Sequence, residues 1–284
     1  MKTSDENSFM KSALFAKRDG NKIFGIIYRP VCDENNTDVK FPAVIYSHGI
    51  GGSFSNGEEY AAVLAKAGYV VYCFDFCGGS MGSRSEGSVF DMSVFSEQKD
   101  LESVLCMVKD LDYVDENQIF LLGASQGGVV SAMTASSHCE DIAGMILLYP
   151  AFVLFDDAKR MFGSLENVPD TVSHMGMTLG RAYYERLFVY DIYENIQKYP
   201  GDVLIIHGGK DEIVPVRYAE RAQKMYPSAV LHVLPGAGHG FSGSDDNKAI
   251  KWMLQYLENK RKITSETMNM KVEDNEKEWK DCVK

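Results

Sequence analysis

The chain has 284 residues, enough for one large α/β domain with its own core. Hydrophobic residues make up 45% and charged residues 24%, an ordinary balance for a soluble globular protein, and the formal net charge is −11. That acidity argues against nucleic acid or an anionic membrane as a partner, because both need clustered Lys and Arg.

The longest apolar run, Ile142 to Phe155, is interrupted by Pro150 and is too short to span a bilayer. The first residues, Met1 to Ser8, are polar and hold no signal-peptide core. Cys32, Cys73, Cys77, Cys106, Cys139 and Cys282 are scattered rather than set out as a disulfide framework. Cys73 and Cys77 have no His or second Cys pair nearby, so no metal site is expected. The expectation is free, mostly buried thiols and a cytoplasmic location.

Two strand-like runs open the chain, Leu14 to Ala16 and Ile23 to Tyr28, with the turn signal Asp19-Gly20-Asn21 between them. Val31 to Lys40 is polar and reads as a loop. Pro42 to Tyr46 is a short apolar strand that runs into Ser47-His48-Gly49-Ile50-Gly51-Gly52. A helix over 58–67 is stopped by Gly68, and the strand Tyr69 to Phe74 leads into a glycine- and serine-rich loop reaching Gly87. Met92 to Leu111 has helical periodicity, with Val94, Leu101, Val104, Leu105 and Val108 on one face. Ile119 to Leu122 is a strand, followed by a helix to about Ser137 and the strand Met145 to Tyr149. Pro150 to Pro200 breaks the rhythm. The pattern resumes with the strand Val203 to His207, a helix over 218–226, the strand Val230 to Leu234 and a last helix from Asp246 to Lys260. A polar tail, 261–284, follows.

Eight short apolar strands alternating with helices predict a mostly parallel eight-stranded sheet covered by helices on both faces. In such sheets functional groups gather at the carboxyl ends of the strands. At one of those ends Gly123-Ala124-Ser125-Gln126-Gly127 forms G-x-S-x-G between a strand and a helix. A turn this tight leaves no room for a side chain at Gly123 or Gly127, and it lifts the Ser125 hydroxyl clear of the sheet. The amide of Gln126 then lies at a helix N-terminus, which favours a developing anion. Outside that context, the same glycines and serine would be an ordinary loop.

A serine hydroxyl needs a base. Among six histidines, His239 alone follows a strand in a flexible glycine-rich loop, Gly236 to Gly240. His48 and His207 look like turn formers, His138 caps a helix, His232 sits within a strand, and His174 is isolated in the irregular segment. The base needs a carboxylate to orient it, and Asp211 follows a strand end, with Glu212 beside it and Asp156 and Asp157 as distant rivals. The order Ser125, Asp211, His239 is the Ser…Asp…His order of α/β-hydrolases. The amides of Ile50 and Gln126 are the expected oxyanion donors. No G-x-G-x-x-G or Lys-Ser/Thr pair accompanies the glycine-rich loop, which argues against nucleotide binding.

On HGIGG (48–52), GASQGG (123–128), HGGKDEIVP (207–215) and GAGHGF (236–241), residues 12–260 resemble an α/β-hydrolase-fold serine hydrolase. The elbow, DFCGGS (75–80) and the long insertion are most similar to bacterial cinnamoyl/feruloyl-type esterases and related lidded hydrolases. The resemblance implies an α/β-hydrolase core over 12–150 and 201–260, with 151–200 as a small lid that shapes an acyl pocket. Nine of the fifty residues 151–200 are aromatic, or 18% against 11% for the chain, and most of them are expected to form the lid's own core. Asp157 or Tyr183 is expected to reach a phenolic hydroxyl. Two departures, the long loop Gly78 to Gly87 and Ile50 where an aromatic is common, are expected to alter the acyl pocket.

The expectation is therefore an ester hydrolase working through an acyl-enzyme on aromatic or short acyl groups, without metal or organic cofactor. Its expected partner is a small-molecule ester, with no nucleic acid and no membrane, and a homodimer is an allowed assembly. An aminopeptidase or amidase of the same fold is the second reading, with Asp156, Asp157, Glu166 and Asp170 available to hold an amine. A binding module on a hydrolase scaffold is the third, and it is expected to lack one of the three residues.

Overall fold

The computed structural model describes residues 9–31 and 39–262. Within them, strands β1 (Phe9–Arg18), β2 (Asn21–Pro30), β3 (Phe41–Ser47), β4 (Val70–Phe74), β5 (Val114–Ala124), β6 (Gly144–Leu148), β9 (Val203–Gly208) and β10 (Ala229–Leu234) form one sheet. Its order is β1-β2-β4-β3-β5-β6-β9-β10. From β4 to β10 every pairing is parallel, and β2 runs against both of its neighbours. This is the α/β-hydrolase fold.

Local chemistry accounts for the framework. Asp19 and Gly20 take φ of 49° and 90°, the left-handed pair that a two-residue hairpin needs to match strand twist. β4 and β6 are buried at every position, because helices cover both faces of the sheet. Helices α1 (Glu58–Lys66) and the chain over 244–262, here α7, pack on one face. On the other face lie α2 (Val94–Lys109), α3 (Gln126–Ser137) and α6 (Arg217–Met225). Along β3, Ala43 and Ile45 enter one core while Val44 and Tyr46 enter the other.

The expected elements recur with shifted ends. β1 starts before Leu14, because its outer residues are exposed at the sheet edge and carry no apolar signal. β5 begins at Val114, through a polar stretch. The tail lies outside the described residues from 263 onward, although α7 continues through 261 and 262. Among the described cysteines, Cys73 and Cys77 are buried and free, whereas Cys106 is exposed, against the expectation of mostly buried thiols. Among the described residues no helix is long and apolar enough to cross a membrane.

Residues 151–200 do contain regular structure. Helix α4 (Leu154–Phe162) is followed by an antiparallel hairpin, β7 (Thr171–His174) and β8 (Met177–Gly180), and by α5 (Ile192–Ile196). Met175 and Gly176 turn the hairpin with φ of 48° and 80°. Phe152, Phe155, Tyr183, Tyr184, Tyr193 and Tyr199 are buried in one continuous core with residues of the sheet and α3, such as Leu121 and Val130, rather than in a separate core of the segment's own as expected.

Candidate active site

Ser125 stands between β5 and α3 with φ of 52°, a conformation that a non-glycine residue adopts only when its surroundings impose it. Those surroundings are tight. A Cβ on Gly123 would lie 2.4 Å from the Gly127 carbonyl oxygen, and one on Gly127 would lie 2.2 Å from that of Ser47. The Ser125 amide donates to the Leu148 carbonyl at 2.9 Å, and the Ser125 carbonyl accepts from Ala151 at 3.0 Å. The elbow is thereby tied to β6 and to the start of the inserted segment.

The loop after β10 brings His239 to Ser125, with Nε2 2.9 Å from Oγ. Its Nδ1 is 2.8 Å from Asp211 Oδ2. A carboxylate can only accept, so Nδ1 carries the proton and Nε2 is free to accept from the serine. Asp211 has no exposed side-chain surface, and its Oδ1 accepts from the amides of Ile213 at 3.0 Å and Val214 at 2.8 Å. Its rivals lie elsewhere. Glu212 is exposed, Asp156 accepts from the Tyr218 hydroxyl, and Asp157 pairs with Arg160.

The other histidines are occupied. His48 is buried, donates from Nδ1 to Gly49 and accepts at Nε2 from the Phe76 amide, which shapes the loop that follows. His207 donates from Nε2 to Val214 at 2.7 Å. Burial lowers the pKa of both. His138 lies near Glu102 and Asp141, and His232 stacks on Trp252. His174 is not isolated: the β7–β8 hairpin carries it into the cleft beside Ser125.

The amides of Ile50 and Gln126 have no acceptor among the described residues, although their neighbours do. Gly51 donates to Gly79 at 3.1 Å and Gly52 to Gly49 at 3.0 Å. The loop after β4 thus props the Ile50 loop from behind. Asp75 holds that prop, accepting from Phe54 at 2.7 Å and Arg84 at 2.8 Å. None of residues 78–87 lines either of the two clefts described at Ser125, against the expectation for the long loop, whereas Ile50 lines both.

Two clefts meet at Ser125. One is walled mainly by aliphatic and methionine side chains, including Ile50, Val153, Leu154, Met161 and Ile213. Asp157 and Tyr183 both line it. Burial pushes the Asp157 carboxyl above its ordinary range, with Arg160 and His174 opposing. The Tyr183 hydroxyl is already donated to Gln126 Oε1 at 2.6 Å. The other cleft is lined by His239 together with Tyr46, Asn56 and Tyr149. Met175, at the hairpin tip, borders both.

Two further residues stand near the site, Tyr149 and Glu97. Tyr149 has φ of 37° and sets its ring edge to face with His239 at 4.9 Å; it stands directly after a strand, where functional groups gather. Glu97 lies three residues after Val94 and four before Leu101, on the apolar face of α2, and is 1% exposed. A charged residue in a core register points to a special environment.

Fold and site together define a serine hydrolase of the α/β-hydrolase class. The chain belongs to the prolyl oligopeptidase family, whose match runs over residues 54–264. Among curated relatives, rat monoacylglycerol lipase ABHD6 is 21% identical over 260 residues, 76% of this chain and 75% of that protein. Human monoglyceride lipase is 30% identical over 144 residues, 51% of this chain and 44% of that protein. Among solved structures, Est1E from Butyrivibrio proteoclasticus with bound ferulic acid superposes with a TM-score of 0.75 at 26% identity, covering 86% of this chain and 98% of that one.

Proposed function

We infer that this serine hydrolase cleaves carboxylic esters with an apolar, mainly aliphatic acyl group and a polar alcohol. His239 takes the proton of Ser125, which attacks the ester carbonyl. The Ile50 and Gln126 amides receive the oxyanion, and Asp211 holds the imidazole in the required tautomer. His239 next protonates the alcohol as it leaves, and then activates a water that frees the acid.

The distribution of His239 between the two clefts carries the substrate reading. A general acid must reach the leaving oxygen, so the alcohol lies on the imidazole side of Ser125. That side is the cleft lined by Tyr46, Asn56 and Tyr149. The acyl group is left to the other cleft, which His239 does not line and where aliphatic walls suit a hydrocarbon chain. The names of the two lipase relatives favour the same pairing of apolar acid with polar alcohol. Residues 151–200 act as the lid over the acyl cleft.

The family's name raises peptide or amide cleavage as the other reading. An amine-binding exopeptidase needs a free carboxylate near the nucleophile. Of Asp156, Asp157, Glu166 and Asp170, only Asp157 lines the cleft with Ser125; it is engaged by Arg160, and burial disfavours its charge. Esters are therefore favoured. The test is fluorophosphonate labelling, with a panel of aliphatic acyl esters, cinnamate esters and aminoacyl amides. Labelling should vanish in Ser125→Ala, together with turnover of a short aryl ester by a factor on the order of 10⁵ or more. Retained turnover in that variant, or faster cleavage of the amides than of the esters, would sink the reading.

A further inference from the structure

Glu97 is a buried carboxyl that the chemistry above leaves unused. Its Oε2 accepts from Gln126 Nε2 at 2.8 Å, and its Oε1 has no partner among the described residues. The other end of the same amide, Gln126 Oε1, accepts from the Tyr183 hydroxyl at 2.6 Å. Glu97, Gln126 and Tyr183 are 1%, 2% and 3% exposed. They come from α2, the first turn of α3 and the inserted segment.

Packing alone does not explain such a chain. Apolar side chains of similar shape would fill the space without leaving an oxygen unsatisfied, which is costly in a low-dielectric interior. Burial pushes the Glu97 carboxyl well above the ordinary range, with the Gln126 hydrogen bond opposing and Asp100 adding to the rise. Burial thus favours the neutral carboxyl, and Glu97 serves as an acceptor at Oε2. What the chain does hold is residue 126. The peptide whose N–H faces the oxyanion already has its carbonyl end pinned by Ala151 and Gly128, both at 3.0 Å. The Gln126 side chain pins the opposite, Cα end.

We propose that the Gln126 side chain is a strut, clamped by Glu97 of α2 and Tyr183 of the inserted segment, that aligns the oxyanion amide only when that segment is seated. Glu97 and Tyr183 are then positioning residues, and the segment over the acyl cleft sets the rate as well as the fit. The proposal rests on Ser125 being the nucleophile.

The test uses the full chain and p-nitrophenyl acetate, with thermal melts and fluorophosphonate titration to fix the active fraction. A misaligned donor costs up to about 10²-fold. Tyr183→Phe and Glu97→Ala should each lower kcat by about tenfold, with KM within about twofold of wild type. Glu97→Gln keeps the acceptor and should retain kcat within about twofold. The double variant Tyr183→Phe/Glu97→Ala should lose no more than Gln126→Ala, because both act through one side chain. The proposal is overturned if Tyr183→Phe keeps wild-type kcat, if its defect lies in KM alone, or if Glu97→Gln falls as far as Glu97→Ala. Persistent labelling of Ser125→Ala would instead remove the nucleophile reading, which makes the two failures distinguishable.

Discussion

His207 Nε2 lies 3.3 Å from Asp211 Oδ2, the same oxygen that accepts the hydrogen bond from His239 Nδ1 at 2.8 Å. Asp211 is thus flanked by two imidazoles. Burial lowers the His207 pKa, so this ring stays neutral and leaves the carboxylate charge to His239. Its stronger bond, to Val214 at 2.7 Å, braces the loop whose amides hold Asp211.

His207→Phe removes that brace while keeping the volume. It should lower kcat by about tenfold through a shifted Asp211, with KM little changed, and should also lower the melting temperature. His207→Gln can still donate to Val214 and should recover most of the rate. Steady-state kinetics on both variants decide the matter. Equal losses in the two would mean that the ring, not its hydrogen bond, is what counts.

Gly127→Ala is expected to be among the most damaging single-methyl additions in the chain. The new Cβ would sit 2.2 Å from a backbone oxygen on β3, which cannot move without dragging the sheet. A loss of about 3 kcal/mol or more follows from overpacking at this severity. Urea unfolding measures it, and a loss below about 1 kcal/mol would contradict the elbow geometry.

Ile213 is half exposed at the rim of the aliphatic cleft, so enlarging it should not disturb the core. Ile213→Trp should reduce kcat/KM for an octanoyl ester by at least about tenfold relative to the acetyl ester of the same alcohol, on the usual scale for hydrocarbon pockets. An equal effect on both esters would place the acyl chain elsewhere.

Glu97 also predicts a pH dependence of stability. Its native pKa is raised above the ordinary 4.5, so between these two values the folded chain binds more protons than the unfolded chain. Stability falls with rising pH across such a window. His48 and His207, whose pKa values are lowered by burial, act in the opposite sense and cost stability as pH drops below 6.5. Comparing wild type with Glu97→Gln cancels the histidines. The stability difference should shift in favour of the glutamine variant as pH rises from about 5 to about 8, read from urea midpoints at constant slope. A difference independent of pH would mean that Glu97 ionises normally.

The sheet was legible because its central strands are buried on both faces and leave unbroken apolar runs, as in Val70–Phe74 and Gly144–Leu148. The grouping of Ser125, Asp211 and His239 was legible because each follows a strand in a loop whose residue types suit it. The inserted segment was opaque for physical reasons. Its strands are only four residues long, and its fold depends on packing against the body of the domain. The contacts of Gln126 were opaque because its partners come from distant parts of the chain. Glu97 was there to be read in the register of α2.

The meeting of two clefts at one serine has a consequence for the order of events. In the proposed arrangement, with the alcohol on the imidazole side and the acyl chain on the other, the first product departs while the second stays bound. Water then enters by the route the alcohol has vacated, directly beneath the base that must activate it. An incoming alcohol would use the same route, so the proposed arrangement predicts that the acyl group passes to another hydroxyl whenever one outcompetes water.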